Sequence, residues 1–454
     1  MDAPLYNRIA ELSAAAYPLH MPGHKRCADF LPKDLLAMDL TEIAGSDDLH
    51  APSGVIADAQ QKMAALYGSD ECIFCVNGGS SGVLAAVLGT CGEGDTVLTV
   101  RNAHKSLQNA LILSGADAVY AAPPVSKYGF ALPITPEIIE NSLKNDKSIK
   151  AVFIVSPTYE GCCADVEAIS RCVHKYGKIL IVDETHGAHF PFDDAFPVNA
   201  SRLGADISVQ SWHKTLPVPN QCALLNINYG NVDVERIKRA FSMVTTTSPS
   251  YILMGLMDYV RAYYTQNGHI ISDYAKKMTQ ITGQLDGLRC LAPFRTDRFD
   301  ISKITLTANC TQSTADIANM LRDAGFELEM TGIHHLVAMT SPADRCDMLD
   351  RFVKALEDID RGLAYKECGT DVYAEMPVSE KINQRKVFYG QKRQVPLKKA
   401  LGLTAADFVT PFPPDIPVII AGEKISAQSI ETVVKYADSG AEIHGLNNGK
   451  LYIV

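Results

Sequence analysis

The chain has 454 residues, 47% of them hydrophobic and 21% charged, and its formal net charge is −10. That length buries a sizeable core and divides into about two or three domains. The acidic balance argues against a nucleic-acid partner or an anionic membrane surface, and no apolar run reaches the ~18 residues of a membrane helix.

The first residues, Met-Asp-Ala-Pro-Leu-Tyr, lack a basic segment followed by an apolar one, so no signal peptide is expected. Residues 1–58 read as an arm or linker. A helix is predicted over Leu5–Ala16, after which Pro18, Pro22-Gly23 and Pro32 end the periodicity. The polar segments at 21–26 (MPGHKR) and 41–50 (TEIAGSDDLH) read either as solvated loop or as a loop folded over a site.

From Ile56 to about Tyr229 short apolar strands alternate with helices. Strands are predicted at 71–76, 96–100, 151–155, 178–182 and 206–210, with helices over 83–89 and up to Leu113. Continuous apolar strands between helices argue for a parallel sheet covered on both faces. Residues 234–288 read as helical, with Thr245–Tyr251 (TTTSPSY) as a helix cap. Leu291-Ala-Pro-Phe marks a boundary. Beyond it, strands at 300–308 and 336–340 and helices at 313–324 and 344–360 predict a smaller α+β domain. The division expected is thus 1–58, 59–290 and 291–454. Twelve cysteines are mostly scattered; the one CxxC, Cys72 to Cys75, lies in a strand, where residues three apart face opposite ways. A reduced cytoplasmic protein with structural thiols and no metal centre is expected.

In an open α/β sheet, ligands bind beyond the carboxyl ends of the strands. The residues just past those ends are Ser80/Ser81, His104, Thr158, Asp183/His186 and Ser211/His213/Lys214. Hydroxyls, imidazoles, a carboxylate and a lysine together form the inventory that holds pyridoxal phosphate. Lys214 can form a Schiff base with an aldehyde. The turn Asn77-Gly-Gly-Ser-Ser-Gly opens a helix, so its N–H groups and hydroxyls can take a phosphate. His104 can stack on the pyridine ring, and Asp183 can pair with the ring nitrogen so that the ring acts as an electron sink.

With these residues assembled, the chain resembles the ornithine/lysine/arginine decarboxylase family of pyridoxal-phosphate fold type I, in its short bacterial form. The resemblance is carried by MPGHKR at 21–26, SDDLHAPSG at 46–54, RNAHKS at 101–106, SPTYEG at 156–161, VDETHGAHF at 182–190, QSWHKTLP at 210–217, TTTSPSY at 245–251 and PFPPDIP at 411–417. It implies a mostly parallel seven-stranded sheet with a smaller C-terminal α+β domain. Lys214 would carry the cofactor, Asp183 would pair with the ring nitrogen and His104 would stack on the ring. Ser80, Ser81, Ser211 and His213 would bind the phosphate, with His186 near the ring. The family is an obligate dimer or larger, so Thr247 and Ser248 would reach the neighbour's phosphate and residues 46–50 would help close the neighbour's pocket. The chain departs from the family's usual pattern at Thr185, where Ala is usual, at Val218–Gln221, at Asp415 and at Ala421.

The reaction expected is α-decarboxylation of a basic L-amino acid, arginine first, then lysine or ornithine, giving a polyamine or its precursor. Lys214 or His213 would return the proton. Asp47, Asp48 and Glu160 are the candidate acids for a cationic side chain. An aminotransferase or side-chain lyase is the competing enzyme reading, with Arg295, Arg298 or Arg393 available to clamp an α-carboxylate. A non-catalytic amino-acid-binding homologue is the reading from a different class.

Overall fold

The computed structural model describes residues 17–19, 46–368, 379–412, 416–438 and 441–454. The helix expected over 5–16, the segment 21–26 and Asp415 lie outside these residues. The described chain starts with strand β1 (Tyr17–Leu19) and resumes with helix α1 (Val55–Tyr67). Next come β2 (Glu71–Cys75), α2 (Gly78–Thr90), β3 (Thr96–Val100), α3 (Lys105–Ser114) and β4 (Asp117–Ala121). They are followed by α4 (Pro136–Asn145), β5 (Ile149–Val155), α5 (Val166–Lys175), β6 (Ile179–Asp183), β7 (Ile207–Ser211), the single turn α6 (Trp212–Thr215) and β8 (Ala223–Ile227).

These strands form a seven-stranded sheet in the order β2-β8-β7-β6-β5-β3-β4. Strands β4, β3, β5, β6 and β7 run parallel, and β8 is antiparallel to both β7 and β2. Strands β3, β7 and β8 are buried along their whole length, the physical origin of apolar runs without alternation. The five predicted strands are all present, and β4 and β8 are additions. β8 reads Ala-Leu-Leu-Asn-Ile, a short apolar run that periodicity cannot separate from a buried helix. The carboxyl ends of β2, β3, β5, β6 and β7 share one edge, and that edge carries the site.

Helix α2 packs between the sheet and α7 (Val234–Val244). Its sequence, GGSSGVLAAVLGT, has almost no polar face because both sides are covered. A Cβ on Gly89 would stand 2.6 Å from Ile237 Cα, so the two helices touch backbone to backbone there. Two longer helices follow, α8 (Tyr251–Gln266), capped by Ser250, and α9 (Gly268–Leu285).

Residues 291–454 hold two packing units rather than one. The first contains β9 (Leu291–Pro293), β10 (Lys303–Ala308), α10 (Thr314–Asp323), β11 (Phe326–Leu328), β12 (Met330–Thr331), β13 (His335–Met339) and α11 (Cys346–Gly362). Its antiparallel sheet runs β12-β13-β10-β9, so Leu291-Ala-Pro, read from sequence as a boundary, is an edge strand. A capping box between Ser313 and Asp316 starts α10. Its apolar residues belong to the same core as the large sheet, and β1 pairs in parallel with β11.

The second unit comprises α12 (Gln384–Tyr389), β14 (Arg393–Pro396), β15 (Thr410–Phe412), α13 (Ala427–Asp438), β16 (Glu442–His444) and β17 (Lys450–Ile453). Its core is separate and includes Leu397, Val409, Ile419, Val433 and Tyr436. An ion pair between Arg101, just past β3, and Glu423 ties this unit to the large sheet. Arg101 is almost wholly buried there.

Candidate active site

A cavity of about 540 Å³ opens on the carboxyl edge of the large sheet. Its inner wall comes from the strand ends and carries His104, Tyr159, Glu160, Asp183, Thr185, His186 and Lys214. Glu329, between β11 and β12, and Met330, which opens β12, form a second side. The outer wall comes from the C-terminal unit through Phe408, Thr410, Phe412, Ile416, Pro417 and His444.

Lys214 sits on the one-turn helix α6 that begins as β7 ends, which aims its side chain back over the sheet edge. Its Nζ lies 3.1 Å from Thr185 Oγ1 and 3.0 Å from His186 Nε2. Burial holds this amine below the ordinary lysine range, against the opposing pull of Asp183 and Glu329. His186 is fully enclosed, and its Nδ1 lies 2.9 Å from Lys303 Nζ. Burial, together with Lys214 and Lys303, pushes the imidazole well below its usual value, so it is neutral at pH 7.

Asp183 ends β6, 3% exposed, and its Oδ1 accepts the Thr185 N–H at 3.1 Å. None of the ion pairs among the described residues uses its carboxylate, so a buried charge faces the cavity wanting a cationic partner. His104 is exposed in the cavity mouth and caps α3, its Nδ1 accepting the Ser106 N–H at 3.2 Å. That contact leaves the Nε2 position for the proton of the neutral ring.

Behind Thr185, and outside the residues that line the cavity, the first turn of α2 is drawn against β7. A Cβ on Gly79 would stand 2.5 Å from Ser211 Oγ, so only glycine lets the helix start approach that closely. Ser80 is exposed in this turn, and the buried Ser81 donates its hydroxyl to Gly78 O at 2.8 Å. The unpaired N–H groups of a 13-residue helix and the Ser211 hydroxyl make an anion cradle here.

Other expected residues lie off the cavity. Thr158 is behind its wall, where its Oγ1 accepts the Cys162 N–H at 3.3 Å. His213 turns to the backbone, with Nδ1 3.1 Å from Cys222 O. The Asp47 carboxylate accepts the N–H groups of Asp48, Ser53, Gly54, Ile56 and Ala57, thereby tying the start of α1. Desolvation, the largest single effect, pushes its carboxyl up, and the backbone N–H bonds from Ser53, Asp48, Gly54 and Ala57 together outweigh it and hold it down to about 2. Asp48 accepts the His50 N–H at 2.8 Å. In this chain both acids serve the loop, and neither lines the cavity. Thr247 and Ser248 are exposed on the loop between α7 and α8. That loop is joined to Asn77 through the Thr246 N–H and to His50 through Thr246 O.

Of the three candidate acids only Glu160 lines the cavity, and burial raises its carboxyl to about 7. The sequence reading missed its companion Glu329, which accepts the Tyr159 hydroxyl, and it missed Lys303. A lysine inside an otherwise apolar strand was the available signal. The arginines considered for a carboxylate clamp are elsewhere: Arg295 pairs with Asp286, Arg298 with Asp165 at 2.8 Å, and Arg393 is exposed on β14. None of the described arginines lines the cavity.

Comparison with known proteins agrees with this geometry. Residues 4–304 match the family model described as Orn/Lys/Arg decarboxylase, major domain, and residues 365–446 match Orn/Lys/Arg decarboxylase, C-terminal domain. An arginine decarboxylase of Bacillus subtilis (strain 168) is 31% identical, over 100% of this chain and 97% of its own length. Among solved structures, a lysine decarboxylase of Francisella novicida superposes with a TM-score of 0.80 at 19% identity, over 99% of this chain and 82% of the other. An SPT holding PLP superposes with a TM-score of 0.57 at 16% identity, over 76% and 87% of the two chains. The fold is that of the fold type I enzymes.

Proposed function

The chain belongs to the Orn/Lys/Arg decarboxylase family and is a decarboxylase, and we propose that it removes the α-carboxylate of a basic L-amino acid, arginine first, using pyridoxal phosphate. The observation that carries this reading is the grouping in one cavity of a desolvated lysine, a buried unpaired carboxylate and two acids suited to a distal cation.

The residues present fit the cofactor. Lys214 offers the amine for its aldehyde, Asp183 the counter-charge for its ring nitrogen, and His104 a flat group for its ring. The turn Gly79–Ser81 with Ser211 offers N–H and hydroxyl donors for its phosphate. When bound, the cofactor supplies an electron sink for the bond to the departing carboxylate.

The chain's own residues do the rest. Glu160 and Glu329 give a cationic side chain its partners, which orients the substrate and leaves the α-carboxylate to be expelled. Phe408, Phe412, Ile416 and Pro417 put apolar surface on the outer wall. The absence of an arginine from the described lining weighs against the aminotransferase reading, which needs a clamp for the carboxylate it retains. Lys214, which lines the cavity, would return the proton to the substrate carbon, in preference to His213, which turns to the backbone.

We further propose a homodimer or larger assembly with sites at the interface and a cytoplasmic location, with agmatine, cadaverine or putrescine as product. The exposed Thr247 and Ser248 beside the start of α2 support a site completed across an interface. No helix of the described residues is long and apolar enough to cross a membrane.

The test is CO₂ release from arginine, lysine and ornithine separately, with pyridoxal phosphate added, for the wild type and Lys214→Ala. Release from a basic amino acid that vanishes in the variant is the expected result. No release from any of the three would overturn the substrate class.

A further inference from the structure

The line Lys214–His186–Lys303 is a problem in hydrogen-bond bookkeeping. His186 places Nε2 3.0 Å from one amine and Nδ1 2.9 Å from the other, with Lys303 and His186 only 3% and 5% exposed. A neutral imidazole has one N–H and one lone pair, while an ammonium group only donates. Two ammonium groups would therefore leave an N–H facing an N–H, and an imidazolium would add a third buried positive charge. One of the two lysines must be a free amine.

The surroundings decide which. Lys303 lies in a field of buried acids: Asp300, fully buried one turn before β10, and Glu160 both interact with it electrostatically. Lys214 faces Asp183 and Glu329, with His104 and His213 nearby, and desolvation dominates there. Its remaining contact, Thr185 Oγ1 at 3.1 Å, can accept an N–H from a neutral amine. A free amine at Lys214 thus gives both contacts a donor and an acceptor: one N–H donates to Thr185 Oγ1, and the lone pair accepts from His186 Nε2.

We infer that Lys303 is a positioning residue that acts through His186: it donates to Nδ1, fixes the imidazole with its proton on Nε2, and so holds Lys214 as a free amine. The inference rests on the reading of Lys214 as the cofactor-carrying lysine, and it assigns Lys303 and His186 a role in keeping that amine nucleophilic.

Competitive acetylation of the full chain stripped of bound aldehyde, read at Lys214 by mass spectrometry across pH, tests it without cofactor. In the wild type the labelling midpoint at Lys214 should lie well below that of the surface lysines. Lys303→Met removes both the cation and the tautomer constraint, and each raises the lysine's pKa. The midpoint should then move up, with labelling about tenfold slower at pH 7. In a His186→Phe background the same substitution should move the midpoint by clearly less, because only the through-space charge of Lys303 is then lost. A wild-type midpoint in the ordinary lysine range would overturn the inference, whatever the variants do. A shift of undiminished size in the His186→Phe background would also overturn it, because Lys303 would then act without the imidazole. Should the labelling behave as expected while the chain takes up no pyridoxal phosphate, the proposed function fails and the relay stands.

Discussion

On the inner wall of the cavity, Asp183, His186 and Lys214 stand at strand and helix ends whose backbones are fixed in a seven-stranded sheet. On the outer wall, Phe408, Thr410, Phe412 and His444 come from the short pair β15–β16 and its approach, in a unit with its own small core. Phe412 is 44% exposed and stacks on His444, ring centres 5.5 Å apart. A site built on rigid elements holds reacting groups to a fraction of an ångström, and loops carry what varies. On the proposed reading the labour divides, with bond chemistry at Asp183, His186 and Lys214 on the inner wall and choice of substrate at the two acids, Glu160 and Glu329, and on the outer wall.

Substitutions should separate the walls. The largest effect is expected at Lys214: Lys214→Ala should lower kcat by about 10³-fold or more, measured as CO₂ release, with a normal melting curve. Breaking the tie between the walls comes next. Glu423→Ala removes the carboxylate paired with the buried Arg101 guanidinium and should cost about 3–5 kcal/mol in denaturant unfolding. Glu329→Gln should raise KM for arginine by about 10–100-fold while changing kcat little, since it removes one ion pair to the substrate.

The pH dependence of KM sharpens the same division. Burial raises the Glu160 carboxyl to about 7, so it loses its charge as pH falls through that value. A cationic substrate favours the charged form, so KM should rise as pH drops below about 7, and Glu160→Gln should flatten that rise. The smallest effect is expected at the rim: Phe412→Ala should change relative KM values for arginine, lysine and ornithine by about two- to tenfold and leave kcat alone.

The inner wall was legible in the sequence for a physical reason. Strands buried on both faces are apolar throughout, so the first polar residues after each one announce the sheet edge, and Asp183, His104, His186 and Lys214 all fell on that rule. The outer wall obeys no such rule. Glu329 and His444 flank strands of two or three residues, too short for any periodicity, and reach the cavity only through tertiary packing. Lys303 was visible as a charge in a strand, yet its partner His186 lies 117 positions away. Asp47 shows the opposite error: an acid read as a substrate contact is consumed by the five N–H groups of its own loop. Such local capture follows from the readiness of Asp to bind nearby backbone.

The tie between Arg101 and Glu423 has a consequence for the order in which the protein becomes itself. Chains leave the ribosome from the amino end, and domains fold as units as they emerge. The sheet that holds Lys214 is complete by residue 227, but the wall opposite it runs on to His444. For the time it takes to synthesise some two hundred further residues, Arg101 waits without its carboxylate and the lysine looks out on open water. The chamber closes only once residues 408–444 have been made, so a chain that stops before them would hold every reacting group of the inner wall and no wall opposite.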